Sequence, residues 1–283
     1  MANPVGSSSP ARRLLLVALL ALLHFRAFSN PPTPLPNAHS HNDYEQKRPL
    51  ALALDHGFHS VEADIHLVNG QLLVAHDRHQ VSPERTLAAL YLDPLRDRCR
   101  TNAGHVHANL PGFTLLIDIK ADPQGTYAVL DPLLRQYREI LTRFTPTNTI
   151  PGAITVILSG SRPTDIVAAQ PERFCAIDGR PADLDSRPSI HLVPLISDAW
   201  PSHFQRPTHP GLSEPDRLKL HQLVRRTHAQ GRRIRFWGAP ERDWLWTELR
   251  IAGVDHINTD RIPQLAAHLR GLPPPPLPLP DEP

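Results

Sequence analysis

The sequence predicts an α/β fold, and its simplest closed form is a (β/α)8 barrel, also called a TIM barrel. Short apolar runs alternate along the chain with segments of helical spacing, as in strand–helix units around a parallel sheet. Most runs are continuously apolar, which is typical of strands covered on both faces. Eight runs remain once one hairpin strand is set aside, and eight strands close a barrel. An open doubly wound sheet is the alternative, although no glycine-rich nucleotide-binding motif follows the first run.

The predicted elements follow in chain order. Strands are expected at 37–40, 61–67, 113–119, 154–158, 174–177, 190–196, 234–237 and 254–257, with residues 72–75 as a hairpin on the second strand. Helical patterns occupy 49–56, 85–92, 127–144, 162–170, 214–230, 242–252 and 262–269. The 283 residues are enough for one such barrel, which typically takes about 250 residues.

The N-terminus has the pattern of a secretory signal peptide. Arg12 and Arg13 precede an apolar run from Leu14 to Leu23, and Ala27 and Ser29 stand where a signal peptidase needs small side chains. An uncleaved membrane anchor is the alternative, but the run is shorter than the roughly 20 residues that span a bilayer. We therefore expect residues 1–29 to be removed and the chain to be secreted or periplasmic.

Proline-rich segments flank the predicted domain. Residues 30–36 are expected to be a linker, 37–271 the folded domain, and 272–283 a disordered tail, because such segments favour extended polyproline II and bury little surface. No later stretch has the length and apolarity of a membrane span.

The charge balance gives no sign of nucleic-acid binding. The chain has 30 basic and 28 acidic side chains, and three of the arginines lie in residues 1–29, which leaves 27 basic and 28 acidic side chains afterwards. Nucleic-acid binding requires a clustered basic excess.

Two cysteines, Cys99 and Cys175, follow the predicted leader. Export permits a disulfide between them, and two buried free thiols are an equal alternative. No C-x-x-C occurs, which excludes a zinc ribbon or a thioredoxin-type site.

Carboxylates gather where predicted strands end. Glu62 and Asp64 are two residues apart, so they point to one face of the second strand, and Asp118 ends the third strand. Adjacent inward carboxylates repel each other and lose hydration, and a hard divalent cation, Mg²⁺ or Ca²⁺, relieves both costs. A solvated strand face is the alternative for the pair. Lys120, two residues beyond Asp118, adds a positive charge on the same side.

Two of the 17 histidines stand apart, since His39 and His76 each end an apolar run near these carboxylates. A histidine pair can act as general base and general acid on opposite sides of one bond. Together with a cation that neutralises an oxyanion, the pair points to chemistry at phosphorus.

These segments resemble the superfamily of phosphatidylinositol-specific phospholipases C and glycerophosphodiester phosphodiesterases. The resemblance rests on H-S-H-N-D, G-F-H-S-V-E-A-D-I-H-L and L-L-V-A-H-D within residues 36–77, and on the later L-L-I-D-I-K, R-F-W-G and A-G-V-D-H-I-N-T-D. H-N-D-Y and T-L-A-A-L-Y-L-D-P-L resemble the subgroup of the fungal altered inheritance of mitochondria protein 6.

The resemblance implies a role for each matching residue. It implies that His39 and His76 are catalytic and that Glu62, Asp64 and Asp118 hold one divalent cation. It further implies that Lys120, Trp237 and Asn42 contact the substrate. Many glycerophosphodiesterases have H-R-G where Ser40 and His41 follow His39 here, so the substrate headgroup stays open.

The resemblance implies a secreted, metal-dependent phosphoric diester hydrolase. Its substrate would be a glycerophosphodiester or a phospholipid headgroup, cleaved by two histidines with a cyclic phosphate as one route. One alternative is an H-x-H metal hydrolase of another barrel type, in which His39 and His41 are both metal ligands. Another is a barrel that binds a phosphorylated ligand without turnover.

Overall fold

The computed structural model describes residues 32–108, 110–205 and 211–271. The predicted signal peptide and the predicted tail at 272–283 lie outside these residues. The first strand begins at Leu35, so two residues of the predicted linker belong to the barrel.

The strands, in chain order, are β1 (Leu35–Ser40), β2 (Phe58–Val68), β3 (Gln71–Val74), β4 (Phe113–Ile119), β5 (Arg143–Phe144), β6 (Thr149–Ile150), β7 (Ile154–Gly160), β8 (Ala176–Gly179), β9 (Leu195–Ala199), β10 (Arg233–Trp237) and β11 (His256–Thr259). Eight of them pair in parallel in the order β1, β2, β4, β7, β8, β9, β10, β11, and β11 pairs with β1 to close the ring. The predicted (β/α)8 barrel is confirmed. Strand β3 is the expected antiparallel hairpin partner of β2.

The helices are α1 (Ala51–Asp55), α2 (Asp93–Thr101), α3 (Pro123–Arg135), α4 (Thr164–Ala169), α5 (Asp183–Ser186), α6 (Glu214–His228), α7 (Asp243–Ala252) and α8 (Ile262–Gly271). A helix was predicted at 85–92. The structure has a π-helical turn at Ala88–Leu92, and this turn leads directly into α2, which lies beyond the predicted range. The predicted helix at 127–144 was too long, because α3 ends at Arg135 and residues 143–144 pair with β6 instead.

The predicted strand at 190–196 was also misplaced, since β9 spans Leu195–Ala199. Pro194 lies inside the apolar run and has no N–H to give to a sheet. The strand therefore begins after this proline, and the apolar residues before it pack as a turn.

The two faces of the barrel strands differ in polarity. On β4, Leu115, Ile117 and Ile119 belong to the large core, whereas Leu116 belongs to a separate cluster with Ile157 and Leu195. The large core lies between the strands and the helices, so the small cluster marks the inside of the barrel. Side chains that alternate with the outer core therefore point inward. Many of these are polar: Ser60, Glu62, Asp64, Thr114, Asp118, Ser197, Arg235 and His256.

Cys99 and Cys175 are both buried and both free thiols. The disulfide that export permits is absent from the structure. Among the described residues, no helix is both long enough and apolar enough to cross a bilayer.

Candidate active site

Three carboxylates meet inside the carboxyl end of the barrel. Glu62 and Asp64 lie on the inner face of β2, and Asp64 is the direct register partner of Asp118 on β4. One ligand atom from each of the three lies within 4.8 Å of the others. The alternative of a solvated strand face is wrong for the β2 pair, because both side chains are buried.

Asp64 is the most enclosed of the three and has no exposed surface. Its Oδ2 accepts hydrogen bonds from Lys120 Nζ and from the Tyr44 hydroxyl, each at 2.6 Å. Its Oδ1 is buried and has no partner among the described residues. Burial, and then the charge of Glu62, raise the pKa of Asp64. A buried carboxylate oxygen without a donor, beside two further carboxylates, fits a hard cation.

Glu62 is held from across the barrel by an arginine. Arg235 on β10 is buried, donates from Nη2 to Glu62 Oε2, and donates from Nε to Asn258 Oδ1 at 3.0 Å. Burial alone would raise the pKa of Glu62. The Arg235 charge and the contact with His39 outweigh it and hold that pKa below its ordinary value. Glu62 is therefore an ionised carboxylate in the barrel interior.

Lys120 lies beside the cluster, as its spacing from Asp118 predicted. Its Nζ is 2.6 Å from Asp64 Oδ2 and 3.5 Å from Asp118 Oδ1. Burial acts to lower the pKa of Lys120, but the two carboxylates outweigh it and raise that pKa. The lysine thus adds a fixed positive charge to the site.

His39 is enclosed at the end of β1, with 1% of its surface exposed. Its Nδ1 lies 2.7 Å from Ser60 Oγ, and its Nε2 lies 3.3 Å from Glu62 Oε2. Burial, and then the Arg235 charge, lower the pKa of His39 to about 4. The ring is therefore neutral near pH 7.

His76 follows β3 and is the more accessible histidine, with 49% of its side chain exposed. Its Nδ1 lies 3.2 Å from Asp64 Oδ2 and 3.1 Å from the Tyr44 hydroxyl. His39 and His76 thus reach the carboxylate cluster from two different segments, through Glu62 and Asp64 respectively.

His41 does not join the carboxylate cluster. The first strand ends at Ser40, and the backbone N–H of His41 donates to Thr259 O at 3.0 Å. The His41 ring turns to Asp260, with 2.8 Å between Nδ1 and Oδ1. Within the described part of the chain, the group of acidic and histidine side chains with metal-ligand spacing contains no histidine. The geometry therefore does not favour the H-x-H alternative.

Asn42 and Trp237 lie at the same end of the barrel. Asn42 has a left-handed backbone, with φ of 46°, and its Oδ1 lies 2.8 Å from the Tyr44 hydroxyl. Trp237 is the last residue of β10 and is exposed. Both residues are at the rim, and their contacts with a substrate stay a prediction.

Sequence reasoning missed Tyr44, Arg235 and Ser60 at this site. Tyr44 belongs to the H-N-D-Y motif, so its place in the sequence could have pointed to it. Ser60 and Arg235 lie within the segments G-F-H-S-V-E-A-D-I-H-L and R-F-W-G, but their contacts with His39 and Glu62 join separate strands and could not be read from the sequence.

Comparison with known proteins places these features in context. A family model described as an AIM6-like phosphodiesterase domain matches residues 28–177, and a glycerophosphoryl diester phosphodiesterase family model matches residues 233–261. Altered inheritance of mitochondria protein 6 from Eremothecium gossypii is 30% identical over 262 residues, covering 80% of this chain and 67% of that protein. The homolog from Arthroderma benhamiae is 29% identical over 263 residues, covering 81% and 82% of the two chains.

Two solved structures have a similar fold. A calcium-dependent phosphoinositol-specific phospholipase C from Pseudomonas aligns with a TM-score of 0.56 at 15% identity, over 84% of this chain and 94% of that one. A glycerophosphodiester phosphodiesterase from Agrobacterium tumefaciens aligns with a TM-score of 0.51 at 16% identity, over 82% of this chain and all of that one. At these identities the likeness concerns the fold alone.

Proposed function

The chain belongs to the family of AIM6-like phosphodiesterase domains, and from this membership we propose that it is a metal-dependent phosphoric diester hydrolase. The proposed substrates are glycerophosphodiesters or the phosphodiester headgroups of phospholipids. The related proposal of export rests on the sequence of residues 1–29.

One observation carries the proposal. Glu62, Asp64 and Asp118 place ligand atoms within 4.8 Å of one another, and Asp64 Oδ1 is buried without a partner among the described residues. That oxygen has no protein donor in the described part of the chain to offset the cost of its burial, and a cation held by the three acids would contact it.

These three carboxylates would hold one divalent cation, Mg²⁺ or Ca²⁺, since all the ligand atoms are oxygen. When bound, the cation supplies positive charge that stabilises the phosphoryl oxygens during the reaction. Lys120 donates hydrogen bonds to the same oxygens and adds to that stabilisation.

The histidines move the protons. Where the substrate has a hydroxyl next to its phosphoester, that oxygen attacks phosphorus and forms the new P–O bond of a cyclic phosphate. His39, whose ring is neutral near pH 7, takes the hydroxyl proton. His76, in its protonated form, gives a proton to the leaving alkoxide as its P–O bond breaks. Asn42 and Trp237 line the rim and contact the rest of the substrate.

Phosphorus NMR of a panel of phosphodiesters tests the proposal. Each diester is incubated with the purified protein plus Mg²⁺ or Ca²⁺, and again with excess chelator. We expect turnover of at least one glycerol- or inositol-containing diester with the cation, and its loss with chelator. Asp118→Asn should lose turnover, whereas the control Asp165→Asn on helix α4 should keep it. If excess chelator leaves turnover unchanged, the proposed requirement for a divalent cation is refuted.

The same panel separates the remaining alternatives. A barrel that binds phosphorylated ligands without chemistry would bind the diesters and return them intact. A deoxy analogue that lacks the neighbouring hydroxyl tests the cyclic route. If the analogue is cleaved as fast as its parent, water attacks directly and no cyclic phosphate forms.

A further inference from the structure

A single buried hydroxyl contacts three predicted site residues. Tyr44 lies in the 3-10 turn Asp43–Glu45 just after β1 and is 3% exposed. Its oxygen is 2.6 Å from Asp64 Oδ2 and 3.1 Å from His76 Nδ1. Asn42 Oδ1 is the third neighbour, at 2.8 Å.

The phenol has one proton to give, which fixes the direction of these hydrogen bonds. Asp64 Oδ2 and Asn42 Oδ1 both compete for that proton, and the carboxylate oxygen is the stronger and nearer acceptor, at 2.6 Å against 2.8 Å, so the phenol donates to Asp64. The phenol oxygen then accepts from His76, which requires the histidine to carry its proton on Nδ1. Asp64 Oδ2, at 3.2 Å from the same nitrogen, favours the same tautomer through the longer of the two contacts, so it holds that tautomer less firmly on its own. His76 Nε2 is left as the ring nitrogen available to a substrate.

The turn that carries Tyr44 is fixed by contacts of its own. Asp43 Oδ2 accepts hydrogen bonds from the Leu50 N–H at 2.5 Å and from the Tyr91 hydroxyl at 2.9 Å. Arg85 Nη2 donates to the backbone carbonyl of Tyr44 at 2.6 Å. The phenol is therefore held in place by groups outside the carboxylate cluster, and it can impose its geometry on His76.

We propose that Tyr44 is a positioning residue of this site, whose hydroxyl fixes His76 in the Nδ1–H tautomer and links it to the candidate metal ligand Asp64. The kinetic consequence rests on the proposed function, but the tautomer does not. The effect belongs to the orientation of His76, so it falls on the chemical step and leaves substrate binding largely unchanged.

Tyr44→Phe is the direct test, and Tyr137→Phe is its matched control. Tyr137 is also buried, and its hydroxyl also donates to an aspartate, Asp93 Oδ1 at 2.9 Å, but in contact with helix α2. Partners that orient a catalytic or ligating group contribute roughly 10–100-fold. We expect Tyr44→Phe to lower kcat by about that factor with KM within about threefold, and Tyr137→Phe to leave both unchanged.

A double-mutant cycle shows which partner Tyr44 acts through. In a His76→Gln background, Tyr44→Phe should cause no further loss of kcat, because the group it orients is gone. An equal loss in both backgrounds would mean that the hydroxyl acts through Asp64 alone and would overturn the proposal. A Tyr44→Phe variant as active as Tyr137→Phe would overturn it as well.

Nitrogen-15 NMR of the imidazole rings tests the tautomer without any turnover. Wild-type His76 should show the Nδ1–H pattern, and Tyr44→Phe should shift it toward an average of the two tautomers. An Nε2–H pattern in the wild type, or an unchanged pattern in Tyr44→Phe, would refute the inference. Absence of diester turnover in the wild type would instead refute the proposed function and leave this result standing.

Discussion

Adding one methyl group at Gly160 should displace a candidate metal ligand. Gly160 is the last residue of β7 and has a φ of +67°. A Cβ built there would lie 2.6 Å from Ile119 O and 2.8 Å from Asp118 Cγ, and nearer still to Asp118 Oδ1. Ordinary van der Waals contacts begin at 3.4 Å, so the Asp118 carboxyl carbon would have to retreat by about 0.6 Å. Metal–oxygen distances tolerate deviations of only about 0.2 Å.

We therefore expect Gly160→Ala to weaken cation binding at least about tenfold, which is about 1.4 kcal/mol. The positive φ adds a separate backbone cost of roughly 1–2 kcal/mol to the free energy of folding. Gly231→Ala is the matched control, because Gly231 has a φ of +69° and nothing within 4 Å of its built Cβ. The control has the same backbone strain without the clash.

Calorimetric titration with Mg²⁺ or Ca²⁺ and urea unfolding of the metal-free proteins separate the two effects. Both variants should lose stability from the positive φ, and Gly160→Ala should lose more because its Cβ also meets the Ile119 carbonyl oxygen. Only Gly160→Ala should lose cation affinity. Equal cation affinity in the two variants would show that Asp118 is not a ligand or that it adjusts freely, and either result would refute the reasoning.

The remaining predictions concern the surroundings of the cluster. Burial raises the pKa of Asp43 to about 6, so the stability that this group contributes is full below about pH 4 and is lost as the pH rises through 6. Urea unfolding should show the wild type losing about 3 kcal/mol relative to Asp43→Asn over that window. A difference in unfolding free energy that does not change with pH would refute the pKa shift. Arg235→Met should cost about 3–5 kcal/mol of unfolding free energy by leaving Glu62 charged and unpaired, and adding Glu62→Gln should recover most of that loss. If the losses of the two single variants simply add in the double variant, the two residues do not act as a buried pair. His41→Ala should leave calorimetric cation affinity within about twofold, since an H-x-H site would lose the ion.

The barrel could be predicted because its main signal is local. A strand covered on both faces favours a mostly apolar sequence, and the unbroken apolar residues 115–117 and 156–158 show this without reference to any other element. The errors fall where a backbone constraint interrupts such a run. Pro194 moves the start of β9, and the chain after Arg135 leaves its helix to form a short strand pair.

The site was predictable only in part, for a related reason. Glu62, Asp64 and Asp118 reveal themselves because an ionisable residue inside an apolar run is costly and needs an explanation. Arg235 sits in an apolar stretch too, yet its partner Glu62 lies on a distant strand and 173 residues earlier. Only closure of the barrel brings the two together, and no local pattern encodes that distance.

The protein donors contact one oxygen of each of two acids of the cluster. Arg235 and His39 contact Glu62 through Oε2, while Lys120 and Tyr44 bond to Asp64 through Oδ2. Each acid is thus oriented by one oxygen, and Asp64 keeps the other without a partner. The positive charges of Arg235 and Lys120 also reduce the repulsion among the three carboxylates, which would otherwise be severe in a barrel interior. The polar interior is therefore what allows the acids to stay close together in the folded chain, with their ligand geometry set in advance.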